Sequence, residues 1–315
     1  MSRCLFCYRI LGENEKDFHP ACSKKIFGQS TPPLLPYSEA HMEELAKQVI
    51  RSQISVPGVQ PKLSLDLAPG ENLAQPRRFT IVGLWGSYIL KPPVPVYPAL
   101  PEVEDATMHL ATIAKINVVP HCLIRLQSGT LAYITKRIDR TAKGKLHRED
   151  MCQLTERLTE DKYQGSYEQI AKALFKYSAN PGLDVVNFFE QVLFSFLTGN
   201  ADMHLKNFSL IHKPGVGPVL SPAYDMVATA LVNPADDEDL ALTLNGKKKK
   251  INRNDFISAF TTARISLKQQ DNIFRKMERA KDHWLAFIQV SFLRDDFKKM
   301  FTEIIRQRFS RLQTK

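Results

Sequence analysis

The chain has 315 residues, 43% of them hydrophobic and 24% charged, and Lys plus Arg exceed Asp plus Glu by a formal net charge of +10. Those figures are of an ordinary globular protein, long enough for a two-lobed enzyme or two modest domains with a substantial core. No apolar run is long enough to cross a bilayer, and the opening MSRCLFCYRILGENEKDFHP is too polar for a signal peptide. The expected location is therefore cytoplasmic, with no membrane partner. The basic excess favours polyanions: nucleic acid, nucleotide phosphates or an acidic partner. Two stretches concentrate it, Lys247–Lys250 and the tail from Lys298 to Lys315, and each by itself reads as a solvated basic surface. No helix-turn-helix, RRM or zinc-finger signature is complete enough to read nucleic-acid sequence.

The five cysteines, an odd number, argue against a disulfide framework. Cys122 and Cys152 read as inert core thiols. The others fall in the first 30 residues as Cys4-x2-Cys7 followed by His19-x2-Cys22. Thiolate and imidazole suit Zn²⁺, and four protein ligands leave no open position, so a metal there would be structural; the competing reading is a small cap with buried thiols.

A Pro-rich linker, TPPLLP, leads to a helix expected from Ser38 to Ser52, with Met42, Leu45 and Val49 on one face. From Ile54 the texture is of strands. SVPGVQPKLSLDL is a turn followed by alternating Leu63, Leu65 and Leu67, and RRFTIVG and GSYILKPP continue it. The stretch Pro101 to Lys115 reads as a helix with acids in its first turn, and VVPHCLIRL and TLAYITKRI form a β-pair around Ser-Gly. Beyond Leu146 the chain reads as helical over 148–160, 166–178, 183–198, 252–263, 266–287 and 290–312. The segment DVVNFFEQVLFSFLTG is apolar almost all round, which marks a buried central helix. The expected divisions are 1–30 as a Cys/His segment, 31–135 as a small mixed α+β lobe and 136–315 as a helical lobe.

The central helix delivers GNADMHLKNFSLIH, in which Asp202 and Asn207 stand at D-x4-N spacing. Phosphoryl transfer needs a cradle for phosphates, a cation on them, metal ligands and a carboxylate at the incoming hydroxyl. Each has a candidate in chain order. The turn Ser55 to Lys62, with Pro57, Gly58, Val59, Gln60 and Pro61, can form an anion nest of backbone N–H groups. Lys91 closes an apolar strand, and Glu104 or Glu102 on the next helix can pair with it. Lys136, Arg137 and Ile138 form a crossing where an adenine edge would be read by backbone groups. Asp202 would orient the acceptor hydroxyl and take its proton, with Lys206 facing the transferring phosphate and His204 supporting the loop. The oxygens of Asn207 and, 18 residues on, Asp225 would hold Mg²⁺. Taken singly, each is as well explained as an ordinary turn, strand end or polar loop. Their order points to a kinase.

The strings SVPGVQPKLSL, YILKPP, HREDMCQ, ADMHLKNFSL, LSPAYDM and LALTLNGKKKKINRNDF resemble the HipA family of bacterial toxin Ser/Thr kinases, from about residue 48 to the C-terminus. The opening Cys4–Cys22 segment also resembles that of some shorter members. The resemblance implies a two-lobed protein-kinase-like fold related to lipid kinases, and a requirement for ATP and Mg²⁺. It places ATP contacts at Pro57 to Lys62, Lys91, Lys136–Ile138, His204–Leu205–Lys206–Asn207 and Tyr224–Asp225, with catalysis at Asp202. It implies autophosphorylation of Ser55 in the phosphate loop, with Ser52 a second hydroxyl close by. A phosphate on Ser55 would compete with ATP for the same nest. About 50 residues of different character precede that loop, where full-length members carry a further subdomain. The chain therefore looks like the short HipT type, whose missing piece is a small separate antitoxin protein and whose module is completed by a DNA-binding helix-turn-helix partner. Family targets are aminoacyl-tRNA synthetases. Two other readings remain open at the level of sequence: a small-molecule kinase on the same scaffold, and a nucleic-acid-binding module built on the basic charge and a zinc knuckle.

Overall fold

The computed structural model describes residues 2–42, 44, 61–69, 76–82 and 85–313. Most of the helix expected over Ser38 to Ser52, and the turn with Ser52, Ser55, Pro57, Gly58, Val59 and Gln60, lie outside the described residues. The chain divides into two compact units: Met1–Asp105 with Val119–Ile138, and Ala106–Val118 with Asp139–Lys315.

The first unit is built on a five-stranded sheet. Its strands are β1 (Leu63–Ala68), β2 (Arg78–Ile81), β3 (Tyr88–Lys91), β4 (His121–Arg125) and β5 (Leu131–Lys136), in the order β2-β1-β3-β5-β4. Every pairing is antiparallel. Side chains alternate across such a sheet, and this alternation sorts β3. Tyr88 and Leu90 turn to the face where Phe79 and Phe27 pack edge to face, while Ile89 and Lys91 turn to the other. Phe27 ends helix α1 (Pro20–Phe27), so the N-terminal segment covers the first of these faces. Helix α2 (Leu100–Ile113) contributes its first turns to this unit.

In the second unit, β8 (Arg148–Asp150), β9 (Ser209–Lys213) and β10 (Gly217–Leu220) form an antiparallel sheet in the order β10-β9-β8; a small pair, β6 (Arg140–Thr141) and β7 (Gly144–Lys145), precedes it. The helices are α3 (Met151–Leu154), α4 (Tyr167–Tyr177), α5 (Pro181–Thr198), α6 (Thr229–Val232), α7 (Arg253–Thr262), α8 (Leu267–Val290) and α9 (Asp295–Gln313). The last three turns of α5 are buried all round, as its composition requires. Phe189 and Phe194 of α5 meet Phe260 of α7 and Trp284 of α8 edge to face. Reciprocal capping boxes set the helix starts: Asp150 with Gln153, Ser166 with Gln169, Asn252 with Asp255 and Ser266 with Gln269.

Two expectations change. Residues 148–160 are not one helix: Arg148–Asp150 pairs with β9, and Asp150 then caps a single turn that ends before Glu156, which has φ 56°. The last helix begins at Asp295 rather than 290, because α8 runs through Val290 and ends at Ser291. The lysine run is a largely exposed basic surface, as read, and the structure adds its partners. Lys247 pairs with Asp255 at 2.8 Å, Lys248 with Glu238 at 3.4 Å, and Lys249 with Asp237. Among the described residues, no helix is long and apolar enough to cross a membrane.

Candidate active site

In the first unit, Lys91 at the end of β3 and Glu104 in α2 form an ion pair, Nζ to Oε1 2.5 Å, with only 3% and 0% of the side chains exposed. Glu104 is thus a helix carboxylate that meets the lysine. The Lys91 ammonium also lies 5.5 Å from the centre of the Tyr133 ring. Removing one partner of such a pair strands the other charge away from water, at a cost of ~3–5 kcal/mol. Lys62 is exposed just before β1. Lys136 closes β5, donating its N–H to Pro120 O, and Arg137 donates its N–H to Ser87 O, so the backbone of the crossing is bonded on the sheet side.

In the second unit, α5 ends at Gly199, whose φ of 68° is the left-handed value a helix C-cap favours. A Cβ at this position would come within 3.0 Å of Ala230 and Ile304, so glycine is also required by space. The following loop is pinned from several sides. Ala201 N–H donates to Thr229 Oγ1 at 2.8 Å, Asp202 N–H to Asn200 Oδ1 at 3.1 Å, and Leu205 N–H to Lys162 O at 3.1 Å. Tyr167 Oη donates to Met203 O. His204 N–H donates to Asp202 O at 2.8 Å, and a 3-10 turn at Leu205–Asn207 follows. Asn207 Nδ2 donates to Asp202 O at 2.8 Å. With its amide nitrogen engaged, Asn207 presents an oxygen as its other polar atom.

Asp225 has a left-handed backbone, φ 56°, an uncommon state for a residue other than glycine. Its charge reaches His204, as does that of Asp202, so the structure brings Asp202, His204, Asn207 and Asp225 into one neighbourhood. Tyr224 beside it donates to Lys206 O and contacts Ser209 Oγ. The oxygens of Asn207 and Asp225 are hard donors of the kind Mg²⁺ takes. His204 is 6% exposed, and its Nδ1 has no hydrogen-bond partner among the described residues. Burial holds its imidazole down, to about 4, against the raising pull of Asp202; Lys162 adds to the lowering and Asp225 opposes it. His204 is therefore neutral at physiological pH.

Three neighbours were not singled out by spacing. Tyr163 Oη donates to Asp202 Oδ1 at 2.5 Å, and its ring meets His204 edge to face at 4.9 Å. Partial burial, then the Asp202 charge, raise the phenol above its usual value, which keeps it a donor. Asp150 takes Lys206 Nζ at 2.8 Å, so the loop lysine is engaged by a carboxylate. Arg148 stacks its guanidinium 5.3 Å from the Tyr224 ring. Asp150 and Arg148 lie within HREDMCQ, a string that carried the family resemblance without a stated role, whereas Tyr163 stands 39 residues before Asp202 with no periodicity to link them.

Near the N-terminus, Cys4, Cys7, His19 and Cys22 converge, with one ligand atom of each within 4.8 Å of the others.

The mixed α+β architecture is that of solved kinase-fold structures. It is similar to HipA of Shewanella oneidensis MR-1, from a complex of HipA, HipB and operator DNA. The TM-score is 0.66 at 21% identity, over 85% of this chain and 71% of that one. It is also similar to CtkA, a proinflammatory kinase of Helicobacter pylori, with a TM-score of 0.54 at 14% identity, over 79% of this chain and 93% of that one. At these identities the likeness is one of fold. In sequence, residues 54–284 match the family described as HipA-like C-terminal domain, and the chain belongs to that family. Among curated proteins it is 32% identical over 267 residues to Y4dM, a protein of Sinorhizobium fredii named as a candidate kinase; the match covers 80% of this chain and 63% of that protein. It is 32% identical over 235 residues to a candidate kinase of Haemophilus influenzae, covering 70% and 64%. The chain thus spans less than two thirds of the length of these relatives.

Proposed function

We propose that this protein is an ATP-dependent, Mg²⁺-requiring serine/threonine protein kinase that acts as the toxin of a toxin–antitoxin module. The observation that carries the reading is the loop after α5. A fixed carboxylate, Asp202, and an amide, Asn207, tied by its nitrogen to the Asp202 carbonyl, stand near a second carboxylate, Asp225. Asp202 accepts the proton of the acceptor hydroxyl; its Oδ1 is engaged by Tyr163, which leaves Oδ2 for that task. The oxygens of Asn207 and Asp225 hold the metal. Lys91, oriented by Glu104, takes the nucleotide phosphates, together with the turn Pro57 to Lys62. Lys136–Ile138 and His204–Asn207 with Tyr224 complete the nucleotide contacts. Mg²⁺, when bound, neutralises charge on the phosphate oxygens.

The acceptor is a protein hydroxyl, and the family likeness points to an aminoacyl-tRNA synthetase. Ser55 is the site of self-limiting autophosphorylation, with Ser52 the second candidate. The partners are a small antitoxin resembling the N-terminal subdomain of full-length members and a helix-turn-helix protein, through which DNA is reached; the HipA neighbour seen with HipB and operator DNA supports a partner that reaches DNA.

The test is intact-mass analysis of the purified chain after incubation with ATP and Mg²⁺. Wild type gains phosphate at Ser55 and Asp202→Ala gains none. Absence of phosphate on wild type and on any offered protein, or its persistence in Asp202→Ala, overturns the reading.

A further inference from the structure

We propose that Cys4, Cys7, His19 and Cys22 bind one structural Zn²⁺, which locks the N-terminal segment onto the sheet of the first unit. His19 Nδ1 lies 3.4 Å from Cys7 Sγ and 3.8 Å from Cys22 Sγ. The four ligand atoms lie within 4.8 Å of one another. In a tetrahedral site with Zn–S near 2.3 Å and Zn–N near 2.0 Å, ligand atoms sit roughly 3.5–3.8 Å apart. A contraction of well under an ångström per ligand therefore completes the site. All five cysteines are free thiols, so no disulfide competes for these sulfurs.

A second observation is independent of the distances. His19 Nε2 lies 3.1 Å from Ile10 O. A carbonyl accepts only, so Nε2 carries the proton and Nδ1 presents its lone pair to the two sulfurs. This is the outer partner that metal-bound histidines use to fix tautomer and ring orientation. On binding, the three thiols release their protons to solvent, and Zn²⁺ with three thiolates and a neutral imidazole keeps one net negative charge.

The surroundings show what the metal would hold. The turn between the first two cysteines closes with Tyr8 N–H donating to Cys4 O, and it places Tyr8 at φ 63°, a costly state for an aromatic residue. His19 and Cys22 sit at the start of α1, an eight-residue helix too short to be stable alone. From this knuckle three contacts reach the rest of the unit. Leu5 O accepts from Leu123 N–H on the edge strand β4 at 3.1 Å. Phe27 packs on Phe79 and Tyr88. Tyr8 Oη donates to the buried Asp105, which also takes His121 Nδ1 at 2.8 Å. Asp105 directly follows Glu104, so the metal steadies the turn of α2 that carries the Lys91 partner.

The experiment uses the purified full chain. Elemental analysis is expected to find one zinc per chain. Exchange for Co²⁺ is expected to give the visible d–d bands of a tetrahedral site and thiolate-to-metal charge-transfer bands. Cys22→Ser is expected to lower zinc retention roughly tenfold or more, while Cys152→Ser, a buried cysteine outside the cluster, keeps it. Should Cys22→Ser fail to fold, titration of wild type with a mercurial releases zinc in step with modification of three thiols. Stoichiometric iron, a wild-type chain that neither carries nor takes up zinc, or undiminished zinc in Cys22→Ser would overturn the proposal. None of these readouts involves phosphoryl transfer, so they stand or fall apart from the kinase reading.

Discussion

His204 offers a pH test of the candidate loop. Its folded imidazole titrates near 4, held down first by burial, whereas an unfolded one titrates near the ordinary 6.5. Between those values the unfolded chain binds the extra proton, so stability rises with pH and this contribution is fully present above 6.5. At about 1.4 kcal/mol per pH unit, the gap makes wild type lose about 3 kcal/mol through this group between pH 7 and pH 4. Carboxylates titrate in the same range, so the quantity to read is the difference between wild type and His204→Asn. Denaturant unfolding followed by Trp284 fluorescence suits the purpose, because that indole is buried within the second unit. The variant is expected to show a flatter pH dependence by about 3 kcal/mol, whatever its stability at pH 7. Parallel curves for the two proteins between pH 4 and 6.5 would refute a buried, neutral His204.

Tyr163→Phe should lower kcat for phosphate transfer about tenfold and leave KM for ATP unchanged, because the lost hydrogen bond to a charged carboxylate, worth ~1.5–3 kcal/mol, orients Asp202 and not the nucleotide; radiolabel transfer at saturating acceptor measures it, and a wild-type kcat would refute it. Asp239 is 4% exposed and takes Arg308, both terminal nitrogens of Arg311 and Ile251 N–H. Asp239→Asn should cost ~3–5 kcal/mol by leaving two guanidinium groups without their counter-ion, and should speed amide exchange across Asp295–Gln313. An unchanged unfolding midpoint would count against it.

Much of the fold is legible along the chain. Leu63 and Leu65 alternate with polar residues and form β1 as read, because one face of that strand is buried and the period of two reports it directly. The 3.6-residue pattern found α4, α5, α7 and α8 within a few residues, since their starts carry Ser, Asn or Pro signals. The stretch 148–160 failed for a local reason. Asp150 is both the last residue of an edge strand and an N-cap, and nothing in its neighbours says which role comes first. The exposed lysine run was legible as surface but its partners were not: the acids that pair with Lys248 and Lys249 lie 10 and 12 residues earlier.

What the sequence by itself determined is the order of chemical parts: a strand lysine, a helix carboxylate, the D-x4-N loop, a later aspartate and a paired Cys/His set. The D-x4-N and Cys-x2-Cys spacings are legible because each concerns residues within one loop or turn. The tertiary structure alone decided which parts meet. It paired Glu104 with Lys91, set Tyr163 against Asp202, gave Lys206 to Asp150 and aimed His19 Nδ1 at two sulfurs. Contacts of this kind depend on how buried faces pack across tens of residues, and no local period along the chain encodes that distance.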